Sequence, residues 1–163
     1  MLPAQDAAAP DGEAIAREVS AMMEAFNKGD ADMLIEKTHP AIHKLVGGEE
    51  IFKATALAGA KKIMELGVKI ESYKAEAPKK FHQAGDEQVC FVPTVMVMLA
   101  QGVRIKNSGF MIGARKAGED WRYLDGAFTK TNPDMLWTFF PKLDKDIKIP
   151  ETTMEKLEAA PAE

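Results

Sequence analysis

The sequence is poor in the residues that most often hold a cofactor or a staple. Among its 163 residues there are one cysteine, three histidines and two tryptophans. A lone thiol, Cys90, allows no disulfide within the chain and no cysteine-rich zinc site. It lies in the apolar run 89–99 and reads as plain core. That run is the longest nearly continuous apolar stretch, short of the ~20 residues a membrane-spanning helix needs. It contains Pro93 and several β-branched residues, so it reads as a strand and no membrane span is expected. An excess of one charge is also missing. Twenty-one Lys and Arg against 25 Asp and Glu leave a net charge of −4, and without a basic cluster to neutralise phosphates, nucleic acid is not expected as a partner. No phosphate-cradling glycine loop, dinucleotide fingerprint, nucleophile elbow or calcium loop occurs, so no cofactor is expected.

Histidine is too sparse for a metal centre. His39 and His43 are four apart, a spacing zinc sites favour on a helix, but Pro40 intervenes and no third ligand accompanies them. His39 reads as a cap or turn residue, His43 as a candidate for the wall of a pocket, and His82 as a strand residue beside Lys79 and Lys80. No metal site is expected.

What is present is the composition of an ordinary globular domain, 46% hydrophobic and 28% charged. A chain of this length buries roughly 70% of the surface its unfolded form exposes, enough for one core without staples. Residues 1–13 and 151–163 read as flexible ends around a single domain, 14–150, in which 132–150 form a C-terminal helical extension. The Ala-, Pro- and Asp-rich start fits either the linker that follows a removed export signal or the frayed start of a cytoplasmic chain.

From Ala14, the residues Ile15, Val19, Met22, Met23 and Phe26 recur at helical spacing, and Asn27-Lys28-Gly29 closes this helix. Asp30 is placed to cap a second short helix through Met33, Leu34 and Ile35, which His39-Pro40 ends. Residues 41–46 form a short apolar piece. A third helix starts at Glu49-Glu50, carries Phe52, Ala56, Gly59, Ile63 and Leu66 as one stripe, and stops at Gly67. The period then changes to two, predicting strands over 68–77, 80–83, 88–100, 103–116 and 121–129 joined by short turns. In the first of these Tyr73 falls on the face of Lys69 and Glu71, and Pro93 marks an edge or a bulge in its long strand. Asn132-Pro133-Asp134 opens a short apolar helix, Met135 to Phe140, ended by Pro141.

Helices followed by a meander of long antiparallel strands is an α+β plan, in which the helices cover an apolar sheet face. The helix ending Phe26-Asn27-Lys28-Gly29-Asp30, the His39-Pro40 after the second helix, and the final strand opening Glu119-Asp120-Trp121-Arg122-Tyr123 resemble the NTF2-like (SnoaL-like) superfamily over about residues 14 to 130. The extension through Trp137 to Pro150 is similar to a feature of a bacterial subset without assigned activity. The resemblance implies a cone-shaped fold, a curved sheet wrapped around a long helix, with a cavity at its mouth and a homodimer formed through the sheet. It implies no single chemistry, because that fold serves isomerases, dehydratases, hydrolases, cyclases and non-catalytic binding domains.

An enzyme on such a cavity needs a carboxylate or histidine poised as a base. In the last strand Trp121, Tyr123 and Asp125 share one face while Arg122 and Leu124 share the other. Asp125 is therefore the candidate base, with Tyr73 or His43 beside it; its alternative role is to mark the strand end by bonding nearby backbone. Trp121, Tyr123, Met96, Met98 and Phe26 are candidate ligand contacts, and Arg104, with Lys106, is a candidate anion contact. Gly47-Gly48-Glu49 is a weaker anion candidate at a helix start. The leading expectation is a non-catalytic domain binding a small apolar or weakly anionic molecule. The alternatives are a cofactor-free isomerase, dehydratase or hydrolase, and an interaction module docking through Trp137, Phe139 and Phe140.

Overall fold

The computed structural model of the chain describes residues 11–157; the expectations for 1–10 and 158–163 lie outside the described residues. Helix α1 spans Gly12–Asn27. It starts two residues earlier than the apolar spacing suggests because the Asp11 carboxylate accepts the N–H groups of Glu13 and Ala14 at 3.0 and 3.1 Å, satisfying two orphan donors of the first turn. Helix α2 is Asp32–Lys37, and Asp30 accepts the Asp32 N–H at 3.0 Å. The short apolar piece that follows is a helix, α3, Pro40–Val46. Pro40 occupies its first turn, where a missing N–H costs nothing, and His39 Nδ1 accepts the Ala41 N–H at 3.1 Å. Helix α4 is Glu49–Glu65.

The strands form one curled antiparallel sheet, a half-barrel. Two long strands make its centre: β3, Glu87–Ala100, and β4, Val103–Lys116, paired over their whole length. The outer side of β3 is shared by β1, Val68–Ala75, and β2, Phe81–Ala84. The outer side of β4 is shared by β5, Arg122–Asp125, and β6, Thr153–Lys156. Pro93 sits in a central strand, against the expectation of an edge or bulge. The gap between β1 and β2 explains it: β1 has ended, β2 has not begun, and the Pro93 carbonyl accepts the Glu76 N–H at 2.8 Å, so the missing proline N–H faces a break in the ladder. The last strand is shorter than the predicted 121–129. It ends at Asp125, and residues Gly126–Lys130 turn as a 3-10 helix. Strand β6 falls within the stretch read as a flexible end.

One irregularity in β1 changes which side chains face inward. Ile70 pairs with Met98 and Ser72 with Val97, so Glu71 is the extra residue of a β-bulge. An extra residue reverses the alternation. Tyr73 therefore lies opposite Met96, on the face of Ile70, and not with Lys69 and Glu71 as simple alternation predicts.

Each sheet face has its own core. Helix α1 covers one with Ile15, Ala16, Val19 and Met22, packed against Ala75, Cys90, Val92, Met111, Trp121 and Tyr123. It is fastened at both edges. Ser20 Oγ accepts the Ala75 N–H at 3.1 Å from β1, and the Tyr123 hydroxyl of β5 donates to Glu18 Oε1 at 2.8 Å. The C-terminal segment covers the other face: Leu136 from α5, Met135–Phe139, with Phe140 and Leu143, buries Val89, Ile112, Ala114 and Leu124. Phe140 is buried and Trp137 and Phe139 are half-buried against the same cluster. The residues weighed as a docking module thus pack within their own chain, on part of the sheet. No helix among the described residues is long and apolar enough to cross a membrane.

Candidate functional site

Two concavities compete for attention. The larger, about 690 Å³, is a groove lined by His39, Lys44, Glu87, Lys116, Arg122 and the turn Gly118 to Asp120. Among the described residues the ion pair formed within it is His39 with Glu87, and Lys116 lies 3.9 Å from Asp86. His39 Nε2 lies 3.6 Å from Glu87 Oε2 and its Nδ1 holds the α3 cap, which leaves neither ring nitrogen free as a base. Burial lowers the His39 pKa and the Glu87 carboxylate opposes that shift.

The smaller recess, about 160 Å³, lies under the end of α1 on the sheet face that the helix covers. Every strand of the meander except β2 reaches it or borders it through the register: Tyr73 stands opposite Met96, Met96 opposite Asn107, and Met111 opposite Asp125. Met23 of α1, Tyr73, Thr94, Met96, Asn107, Met111 and Asp125 line it. Apolar thioethers thus surround a few polar groups from opposite sides of the sheet, the usual chemistry of a small-molecule site. Tyr73 and Asp125, 52 positions apart, share this recess.

Their states differ. Burial pushes the Tyr73 phenol well above its ordinary range; the Asp125 charge adds to this, and a hydrogen bond with the Thr94 side chain works against it. Tyr73 is therefore a neutral hydroxyl that donates. Asp125 is solvent-exposed at the rim, and its Oδ1 accepts the Ala127 N–H at 2.8 Å, capping the 3-10 turn. The strand-end role is present, and Oδ2 is left to face the recess or water.

The other candidates lie elsewhere. Trp121, Tyr123 and Asp125 do share one face while Leu124 packs on the other, but Trp121 and Tyr123 line a separate hollow of about 220 Å³ with Glu18 and Arg115. The Arg115 guanidinium lies 4.8 Å above the Trp121 ring. Burial, helped by Glu18, drives the Tyr123 phenol far upward. His43 is buried between α2 and α4: its Nε2 lies 3.0 Å from the Ile35 carbonyl and its ring meets Phe52 edge-on at 5.0 Å. It does not join Asp125 and Tyr73. Arg104 is bound to Glu71 at 3.0 Å and pairs with Leu99, on the sheet face away from the recess; Lys106, opposite Val97, shares that face. Met98, between Ile70 and Ile105, continues the face of Met96 beyond the recess. Phe26 is half-buried near the end of α1 and is not part of the lining. Cys90 is wholly buried, its thiol pushed up to about 12 by burial.

Sequence reasoning passed over Thr94, Asn107 and Met23, while Met111 was read with Met96 and Met98 as adaptable lining or plain core. Asn107 carried a readable signal, a polar residue on the strand face of Val103, Ile105 and Met111; the place of the other two depends on register. Among the described residues no group of three or more His, Cys, Asp or Glu is placed to hold a metal ion. No family model, curated protein or solved structure matches this chain.

Proposed function

We propose that the protein is an NTF2-like domain that binds a small molecule in the recess beneath α1 without transforming it. The observation that carries this reading is the convergence of Tyr73, Met96, Met111 and Asp125 on one hollow of about 160 Å³. That volume equals about five waters of bulk liquid, so the ligand is much smaller than a drug-sized molecule. It has an apolar body that meets the thioethers, an acceptor for the Tyr73 hydroxyl, and a donor or positive charge toward Asp125. An anion is disfavoured there, because Arg104 and Lys106 face away and the nearest charge is a carboxylate. A binding role suits Asp125 better than a catalytic one: it is exposed, one oxygen is committed to the turn, and the acid that shares the recess, the Tyr73 phenol, is held protonated by burial.

A thermal-shift screen with small amides, alcohols and amines tests this, since a ligand that binds only the folded state raises the melting temperature by mass action. Hits are expected to weaken about fivefold in Tyr73→Phe, the loss of one hydrogen bond. Amine hits are expected to weaken about tenfold or more in Asp125→Asn, which keeps the turn cap but removes the charge. Hits indifferent to both substitutions would place binding elsewhere and contradict the proposal.

A further inference from the structure

Strand β6 is held to the sheet in a way no other strand is. All four of its residues are exposed, it pairs with β4 alone, and among the described residues its outer edge has no partner strand. Upstream, Ile149 packs against the second core and Pro150 follows it. Downstream, the Leu157 N–H donates to the Arg104 carbonyl at 2.8 Å. With no side chain of β6 buried, backbone pairing keeps the strand in place, and a segment so held opens locally far more readily than the core strands.

This weakly held strand walls the recess. Ser108 pairs with Thr153, and the next step of the register sets Thr152 against Gly109. A Cβ on that glycine would lie 3.7 Å from Thr152 Cγ2 and 3.7 Å from Thr94 Oγ1. Thr152 lines the recess together with Asn107 and Asp125. It also lines a second hollow of about 290 Å³, with Lys130, Pro133, Ile149 and Pro150. One half-buried threonine, carried at the start of the most exposed strand, thus borders both cavities.

We propose that residues 150–157 are a strap, a detachable wall that sets which ligands the recess accepts. This rests on the recess being the binding site. With β6 paired, the recess takes only the small molecule argued above. When β6 lifts from β4, turning about Pro150, Thr152 leaves with it. The recess and the second hollow then form one site, which takes a longer molecule whose apolar tail meets Pro133 and Ile149.

Hydrogen exchange and a reversible lock, both on the full chain, test this. In the wild type the Leu157 amide should exchange about a hundredfold or more faster than the amides that pair β3 with β4, and with little dependence on urea, because local opening exposes little surface. The bond from Leu157 to Arg104 makes the next pair along, Ile105 and Lys156, a non-hydrogen-bonded pair. The Cα atoms of such a pair approach to about 4.5 Å, within disulfide reach, and neither residue lines the recess. In Ile105→Cys with Lys156→Cys, oxidation should slow Leu157 exchange about tenfold or more. N-methylacetamide should bind the reduced and oxidised forms alike, whereas N-hexylacetamide should bind the reduced form and lose about tenfold or more on oxidation. A wild-type Leu157 amide that exchanges as slowly as the β3–β4 amides, with the same urea dependence, would overturn the strap. So would equal binding of the long amide to both forms. Binding of neither amide would count against the recess as a site, and the exchange rates, which need no ligand, would still decide whether β6 detaches.

Discussion

Tyr73, Tyr123 and Cys90 are three groups that lose a proton only with difficulty where the fold places them, in each case chiefly because burial penalises the anion. In the unfolded chain the thiol titrates near 8.5 and the phenols near 10. Above those values the folded state holds protons that the unfolded state has released, so stability falls as pH rises. His39 works in the other direction. Its folded pKa is lowered, so its contribution is complete above about 6.5 and declines as pH falls through the lower folded value. Stability should therefore be highest between about pH 7 and 8 and decline on both sides. Urea midpoints measured against pH check this: Tyr73→Phe and Tyr123→Phe should each flatten the alkaline limb by about one proton. A midpoint unchanged up to about pH 11 would mean that neither phenol is buried.

At the scale of elements, the bulge at Glu71 does more for the site than any single side chain. It lets Ile70 and Tyr73, three residues apart, both face α1. Glu71→Ala keeps the bulge and loses only a partly exposed ion pair to Arg104, so its cost should stay below about 1 kcal/mol. Deleting Glu71 removes the extra residue and leaves Ile70 and Tyr73 separated by Ser72 alone, still opposite Met98 and Met96 on one face, so its cost should likewise stay at about 1 kcal/mol. A loss of about 3 kcal/mol or more on deletion in a denaturant titration, the cost of turning an apolar side chain out, would contradict this account of β1. The C-terminal segment is equally structural. Phe140 is 1% exposed, and Phe140→Ala should cost about 3–5 kcal/mol by emptying the second core. A loss under about 1 kcal/mol would show that the segment is dispensable.

The same elements show what the sequence could reveal. The α1 stripe, the β4 limits and the shared face of Trp121, Tyr123 and Asp125 were legible because hydrophobic period and turn residues are local signals. The bulge was not, because Glu71 looks like any outward strand residue until its partners on β3 are known. That one unreadable step put Tyr73 on the wrong face in the sequence reading, even though Tyr73 was named there as a partner of Asp125. Strand β6 was missed for a related reason: Thr153–Lys156 is exposed on all four residues, so it is held by its pairing with β4 and carries no apolar alternation to announce it.

For the whole molecule, the hollow under the end of α1 is where Tyr73 and Asp125 meet among methionines, and the account rests on that hollow taking a ligand. Methionine reports on it directly. Met23, Met96 and Met111 line the recess, whereas Met64, near the end of α4, is 73% exposed and serves as an internal control. With isotope-labelled methionine methyl groups, titration with the amides and amines that raise the melting temperature should give saturable shifts at Met23, Met96 and Met111. Met64 should stay still. Saturable shifts confined to other methionines, or none at those three when the ligand is saturating, would contradict the claim that this recess is the binding site.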